Sequence, residues 1–360
     1  MEWLEHYRDA EMVRRLTERL RQQEVPPVRL MEVCGTHTMA IARYALRKLM
    51  PEHITLTSGP GCPVCVTAAG EIDAFIAAAR LPRVTITTFG DLLRVPGSRS
   101  SLQEEQAQGA DIRLVYSPLD ALEIARKQPD REVIFLGVGF ETTAPTVAAA
   151  LLSAIQAGIG NFSVLSAHKV MPPALEALVA APEVKVDGLL CPGHVSIIIG
   201  AEAYRPLVER YGTPCVVTGF EPVDILEGIL LLTRQLVEQQ PNIKIAYQRA
   251  VGESGNSRAL EILHQVFEPA DAAWRGLGTI PASGLAIRAE YQDFDAYRRF
   301  GLQVPAARER PGCQCGQVLK GLLSPPECKL FGKACHPGHP IGPCMVSSEG
   351  ACAASFKYGS

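Results

Sequence analysis

The sequence predicts an α/β protein built from two small parallel-sheet, Rossmann-like units in tandem, followed by a cysteine-rich tail. Three observations lead there. Short apolar segments alternate with helical stretches over the first two thirds of the chain, as successive β-α units do. The alternation restarts after about residue 130, which divides it into two runs of four strands. Beyond Val304 the periodicity gives way to Gly, Pro and Cys, a composition that buries little by itself and that a bound metal centre would order.

Residues 1–24 read as a polar-faced helix that stops at Val25-Pro26-Pro27. Segments 28–33, 54–58, 83–88 and 112–117 are candidate buried strands, with helical stretches at 39–50, 71–80 and 101–109 between them. Segments 132–138, 162–167, 186–190 and 214–219 are four more. The Gln128-Pro129-Asp130 turn is the expected joint, giving one unit at 25–128 and a second at 129–227. Residues 225–239 read as a strong helix, and 243–300 as mixed and mostly helical.

Bulk composition excludes several functions. The chain of 360 residues is long enough for two or three domains, 47% hydrophobic and 20% charged, with a net charge of -3. No basic tract or aromatic RNA-type motif points to nucleic acid. Apolar stretches are broken by Gly, Pro or charge, so no transmembrane helix is expected. The amphipathic, charged N-terminus does not read as a signal peptide, and a cytoplasmic protein is expected. In that setting eleven cysteines argue for metal binding or redox chemistry over disulfide stapling.

Four constellations carry the chemistry. In the tail, Cys313, Cys328, Cys335 and Cys352 are separated by 14, 6 and 16 residues, with Cys315 and Cys344 beside them. Four thiolates are what an iron–sulfur cubane needs. A zinc site is the competing reading, although zinc sites generally use paired Cys-x2-4-Cys knuckles, and this tail has only the tighter Cys313-Gln314-Cys315. In the second constellation, Cys34-Gly35-Thr36-His37-Thr38 follows a strand and opens a helix. Free backbone N–H groups and the helix dipole there favour a thiolate, and Thr36 or Thr38 could cap the helix. His37 could ligate, carry a proton or orient a neighbour; the plainer alternative is a buried small residue followed by a helix-start histidine. Third, Cys62-Pro63-Val64-Cys65 after Ser58-Gly59-Pro60-Gly61 is a Cys-x-x-Cys pair at a helix start, the arrangement of a thioredoxin-type dithiol, with half of a zinc site as the alternative. Last come the strand ends of the second unit: Gly137 to Pro145 with Glu141, Ser166 to Lys169 with His168, Cys191 to Ser196 with His194, and Gly219 to Pro222 with Glu221. In one doubly wound sheet these would share a crevice at the carboxyl edge. Gly137-x-Gly139 is a weak dinucleotide signal, since Thr142 stands where a third glycine belongs.

Taken in order, CGTHT at 34–38, SGPGCPVC at 58–65, GFETTAP at 139–145, PGHVS at 192–196, VTGFEP at 217–222 and GPCMVSSEGAC at 342–352 resemble the motifs of the HypD family of [NiFe]-hydrogenase maturation factors, from about residue 28 to the C-terminus. The resemblance implies two similar α/β domains and a third, iron–sulfur domain formed by both chain ends, here 1–24 with 228–360. It implies a [4Fe–4S] cluster on Cys313, Cys328, Cys335 and Cys352. It further implies a complex with the small protein HypC that shares one iron with Cys34, cyanide delivery by HypE to give an Fe(CN)2CO unit, and transfer to the hydrogenase large subunit precursor. Cys62 and Cys65 would exchange electrons with the cluster, and Glu141, His168 and His194 would bind or protonate the incoming group. Such a protein is closer to an assembly scaffold than to a turnover enzyme. Two other functions compete: an iron–sulfur-dependent thiol–disulfide reductase, which gives Cys34 no task, and a zinc-stabilised binding module.

Overall fold

The computed structural model of the chain describes residues 7–307 and 309–359. All eight expected strands are present: β1 (Val28–Glu32), β2 (Ile54–Ser58), β3 (Val84–Thr88), β4 (Asp111–Leu114), β5 (Glu132–Gly137), β6 (Phe162–Ser166), β7 (Gly188–Pro192) and β8 (Cys215–Thr218). The runs of β3, β7 and β8 are buried on both faces, as strands covered on both sides must be, whereas β2 and β4 each leave positions exposed.

The strands do not group four and four along the chain. One parallel sheet has the order β2-β1-β7-β8-β9, with β9 at Ile243–Ile245, and the other has the order β4-β3-β5-β6. The turn at Gln128-Pro129-Asp130 therefore connects two strands of one sheet, and the chain leaves the first sheet after β2 and returns to it at β7. The four strand ends expected to share one crevice are divided: Glu141 and His168 follow β5 and β6 in the four-stranded sheet, whereas His194 and Glu221 follow β7 and β8 in the five-stranded one. Hydrophobic periodicity reports that a strand is buried but not which neighbour it pairs with, because parallel pairing is made through long crossovers.

Residues 243–300 also differ from expectation. Besides β9 and the helix Ser257–Val266, they form an antiparallel hairpin of β10 (Phe267–Trp274) and β11 (Gly278–Ile287). Its Ala-rich and Pro-containing strands have weak β propensity, and a bulge between Ala270 and Ala272 breaks the register. Packing decides their state: Phe267, Trp274, Ile280 and Ile287 are all buried. The turn Arg275-Gly276-Leu277-Gly278 has both glycines at positive φ (78° and 80°).

Of the expected N-terminal helix, residues 1–6 lie outside the described residues. The described part, Ala10–Arg21, starts at Asp9, whose carboxylate accepts from the Met12 N–H, and buries Leu16 and Leu20 in the core of the five-stranded sheet. The strong helix over 225–239 is present as Pro222–Glu238 and shares that core through Ile225 and Ile229. A second core joins Met31 and Leu189 of this sheet to Phe140 and Met171 beyond the other, and to Trp274 and Met345 from the hairpin and the tail. The tail ends in the helix Ala351–Tyr358.

Phe135 is fully buried in β5, in the core of the four-stranded sheet. Phe135→Ala should cost about 3–5 kcal/mol in urea unfolding, the usual result of emptying a packed aromatic site. A loss under about 1 kcal/mol would contradict this packing.

Candidate functional site

Neighbouring strands β1, β2, β7 and β8 release their chains at one carboxyl edge, and the loops there are interlocked by backbone bonds. Gly59 N–H donates to the Glu32 carbonyl (2.8 Å), Val33 N–H to the Leu190 carbonyl (3.1 Å) and Gly35 N–H to the Gly61 carbonyl (2.8 Å). A Cβ on Gly61 would lie 2.2 Å from the Cys34 nitrogen, so the β2 turn can close on Cys34 only with glycine there.

Cys34 is the N-cap residue of the helix Gly35–Arg43 and is 7% exposed. Neither threonine caps the helix: Thr36 and Thr38 lie inside its first turns and spend their hydroxyls on carboxylates. Thr36 Oγ1 donates to Glu349 (2.7 Å), and Thr38 Oγ1 donates to Glu32 (2.7 Å). The expected thiolate is overruled as well. Burial, and secondarily the Glu349 carboxylate, push the Cys34 thiol up to about 12, although the N–H groups of His37 and Thr36 pull the other way. Cys34 in this state holds its proton. Glu32, fully buried behind the Cys34 N–H (3.4 Å), is raised to about 7 by burial against the pull of Arg47. Neither Glu32 nor Glu349 was singled out from sequence, where they read as an ordinary strand-end and a loop carboxylate.

His37 is fully buried, and its Nε2 lies 2.9 Å from the Gly219 carbonyl, which fixes Nε2 as the protonated nitrogen. Burial lowers its pKa to about 4, so the ring is neutral and Nδ1 presents an unpartnered lone pair. Phe220, from the β8 loop, packs against both the buried His37 (centroids 5.0 Å apart) and the exposed His194 (4.0 Å). The structure thus gathers Cys34, His37 and His194 at one edge. Cys62 and Cys65 stand at the same edge, joined in a disulfide across the single turn Pro63–Val66 and 3% and 0% exposed.

Glu141 and His168 occupy the other sheet's edge. Burial raises Glu141 to about 7; its Oε1 accepts from Met171 N–H (2.8 Å) and its Oε2 is buried without a partner. His168 is buried beneath the hairpin, edge-on to Phe267. Ser166 Oγ donates to the Leu285 carbonyl (2.8 Å) and so can only accept from His168 Nδ1 (3.1 Å), leaving Nε2 as an unpartnered lone pair. Burial lowers this ring to about 3. Beside it the buried pair Lys169–Glu71 (2.5 Å) ties the β6 loop to the helix Ala69–Ala79 that follows the Cys62–Cys65 turn.

In the tail, Cys313, Cys328, Cys335 and Cys352 line one small cavity, walled by Leu330 and Phe331, and Cys315 lines it with them. All are free thiols. Hydrogen bonds from Cys315 and Cys344 hold the Cys352 thiol below its usual range, and Ile341 N–H donates to Cys335 Sγ (3.4 Å). Among the described residues no group of three or more His, Cys, Asp or Glu is arranged to hold a single metal ion. Sulfur donors around a small, partly enclosed apolar cavity, one held toward thiolate and another receiving a backbone N–H, fit an iron–sulfur cluster. The role of Cys315, left open by the spacing, becomes that of a fifth thiol facing the same space.

A family model for HypD, described as the hydrogenase formation hypA family, matches residues 11–359. The chain belongs to the HypD family. It is 45% identical to the hydrogenase maturation factor HypD of Rhizobium leguminosarum bv. viciae, over 100% of this chain and 96% of that one. It is 47% identical to HypD of Rhodobacter capsulatus (96% and 93%) and 42% identical to HypD of Escherichia coli strain K12 (99% and 98%). The resemblance carried by six short motifs thus extends over essentially the whole HypD chain.

Two outcomes follow. Gly61→Ala should displace Cys34 while leaving the sheets folded, so Cys34 alkylation under native conditions should rise at least several-fold, read by mass spectrometry with circular dichroism as control. His37 and His168 are held neutral, with folded pKa values below the unfolded ones; their contribution is present above the ordinary histidine pKa of 6.5 and lost as pH falls toward 4 and 3. Calorimetry should show Tm falling between pH 6.5 and 4, and falling less in His168→Asn than in the parent.

Proposed function

We propose that this protein is a hydrogenase maturation factor that serves, with HypC, as the scaffold for assembling the Fe(CN)2CO unit, with cyanide arriving from HypE and the finished unit passing through HypC to the hydrogenase large subunit precursor in the cytoplasm. The observation that carries the proposal is the Cys34 site: a single enclosed thiol at a helix N-terminus, beside a neutral histidine with a free nitrogen, on an edge that also holds a dithiol.

In this reading the iron is cargo, and Cys34 is its anchor. A thiol with a pKa near 12 stays protonated until a cation displaces the proton, so the site closes on metal and not on adventitious electrophiles. His37 Nδ1, a lone pair without a partner, is available to ligate, and Phe220 packs against both the His37 and the His194 rings. Glu141, raised to about 7, can present a protonated carboxyl near neutral pH, and His168 and His194, both lowered by burial, would bind the incoming group as neutral rings. A [4Fe–4S] cluster held by Cys313, Cys328, Cys335 and Cys352 would supply single electrons. Reduction of the Cys62–Cys65 disulfide takes two electrons and two protons and yields two thiols. Their burial speaks against the reductase alternative, because a partner's disulfide has no path to a thiol that is 3% exposed.

Anaerobic co-purification with HypC tests the proposal. Infrared cyanide and carbonyl bands, with iron beyond the cluster's four, are expected in the complex and should vanish in Cys34→Ala while the cluster's own iron remains. Bands that persist in Cys34→Ala would remove the anchor assignment.

A further inference from the structure

The tip of the β10–β11 hairpin lies between the dithiol turn and the cysteine tail. Trp274 pairs with Thr67 in an antiparallel bridge, and Arg275 N–H donates to the Val66 carbonyl (2.8 Å). The Arg275 Nε donates to the Thr67 carbonyl (3.1 Å). Val66 and Thr67 directly follow Cys65. On the other side, Gly276 at φ 78° packs so closely on Gly316 that a Cβ would come within 2.3 Å of the Gly316 Cα. Gly316 is the residue after Cys315.

The Arg275 guanidinium is 3% exposed and lines a small cavity together with Cys313, Cys315 and Gly316. Its Nη1 is paired with Glu309. Its Nη2 is buried and has no partner. A charged donor left unsatisfied inside a protein is costly, and such groups persist where a ligand completes them. The cavity it lines is bounded by thiols, which accept hydrogen bonds strongly once they are thiolates.

We infer that Arg275 is a positioning residue shared by the two redox elements: it clamps the segment after Cys65 and gives Nη2 to the negative charge of the Cys313–Cys315 loop when that loop carries its metal group. The inference rests on reading the tail as an iron–sulfur site. A fixed cation beside the thiolates stabilises the more negative, reduced form of the group and so raises its reduction potential. Glu309 partly offsets that cation from the solvent side, its side chain being 45% exposed.

The test is an anaerobic redox titration of the full chain, followed by electron paramagnetic resonance, on the parent, Arg275→Gln, Arg275→Lys and Glu309→Gln. Arg275→Gln should shift the midpoint to more negative potential, Arg275→Lys should recover part of the shift, and Glu309→Gln should shift it the opposite way. Alkylation of Cys62 and Cys65 after reduction should be faster in Arg275→Gln, because the clamp on Val66 and Thr67 is weakened. If Arg275→Gln fails to fold, the sign of the Glu309→Gln shift decides. Four irons per chain with the same midpoint in all variants would overturn the inference and leave the cluster standing. A parent chain that holds no iron and sulfide after reconstitution would instead remove the tail reading itself.

Discussion

The site depends on the backbone ladder that places β1 between β2 and β7. Register pairs Leu30 with Gly188 and Glu32 with Leu190 on one side, and Glu32 with Ser58 on the other. Because the pairing is parallel, all three strands release their chains at the same edge. Cys34, Gly61 with the dithiol, and His194 are neighbours for that reason alone. Shifting β1 by one residue would exchange the cores into which Leu30 and Met31 pack, since the two faces of this strand bury different clusters.

Burial then sets the chemistry. The helix start at Cys34 offers N–H groups, yet desolvation outweighs them and keeps the thiol protonated. Desolvation also keeps His37 and His168 neutral and raises Glu32 and Glu141 toward neutrality. Several of these groups have one atom satisfied and one left open: His37 through Gly219, Glu141 through Met171, His168 through Ser166. The satisfied atom orients the side chain, and the open atom is what a ligand can use.

Much of this was legible in the sequence, and the failures have physical causes. The eight strands announced themselves through apolar runs ending in glycine-rich turns, and the cysteine motifs stood at those ends. Strand partnership was hidden, since nothing local to residues 28–32 says that residues 188–192 will lie beside them. The hairpin was hidden because Ala270, Ala272 and Ala273 suit a helix in isolation and become a strand only through packing. Arg275 and Glu349 were hidden for the same reason: each acts across a long span of chain, on Thr67 and on Thr36, where local pattern has no reach. The positions most visible from sequence were those where geometry admits one residue type, such as Gly61 against the Cys34 backbone.

The return of the chain to β1 also governs when this site can exist. Arg29 N–H bonds to the Asp187 carboxylate across 158 residues, and the β1–β7 ladder begins there. Contacts so distant in sequence form late, after the loop-closure entropy of the intervening chain has been overcome. A nascent chain still short of β7 has its first cysteine motif but no right-hand wall to hold it. The four-stranded sheet, contained wholly between residues 84 and 166, can condense first and bring the two flanking segments together. The architecture thus delays the enclosed thiol until most of the polypeptide has been made; before β7 is in place Cys34 lacks the burial that makes it hold its proton.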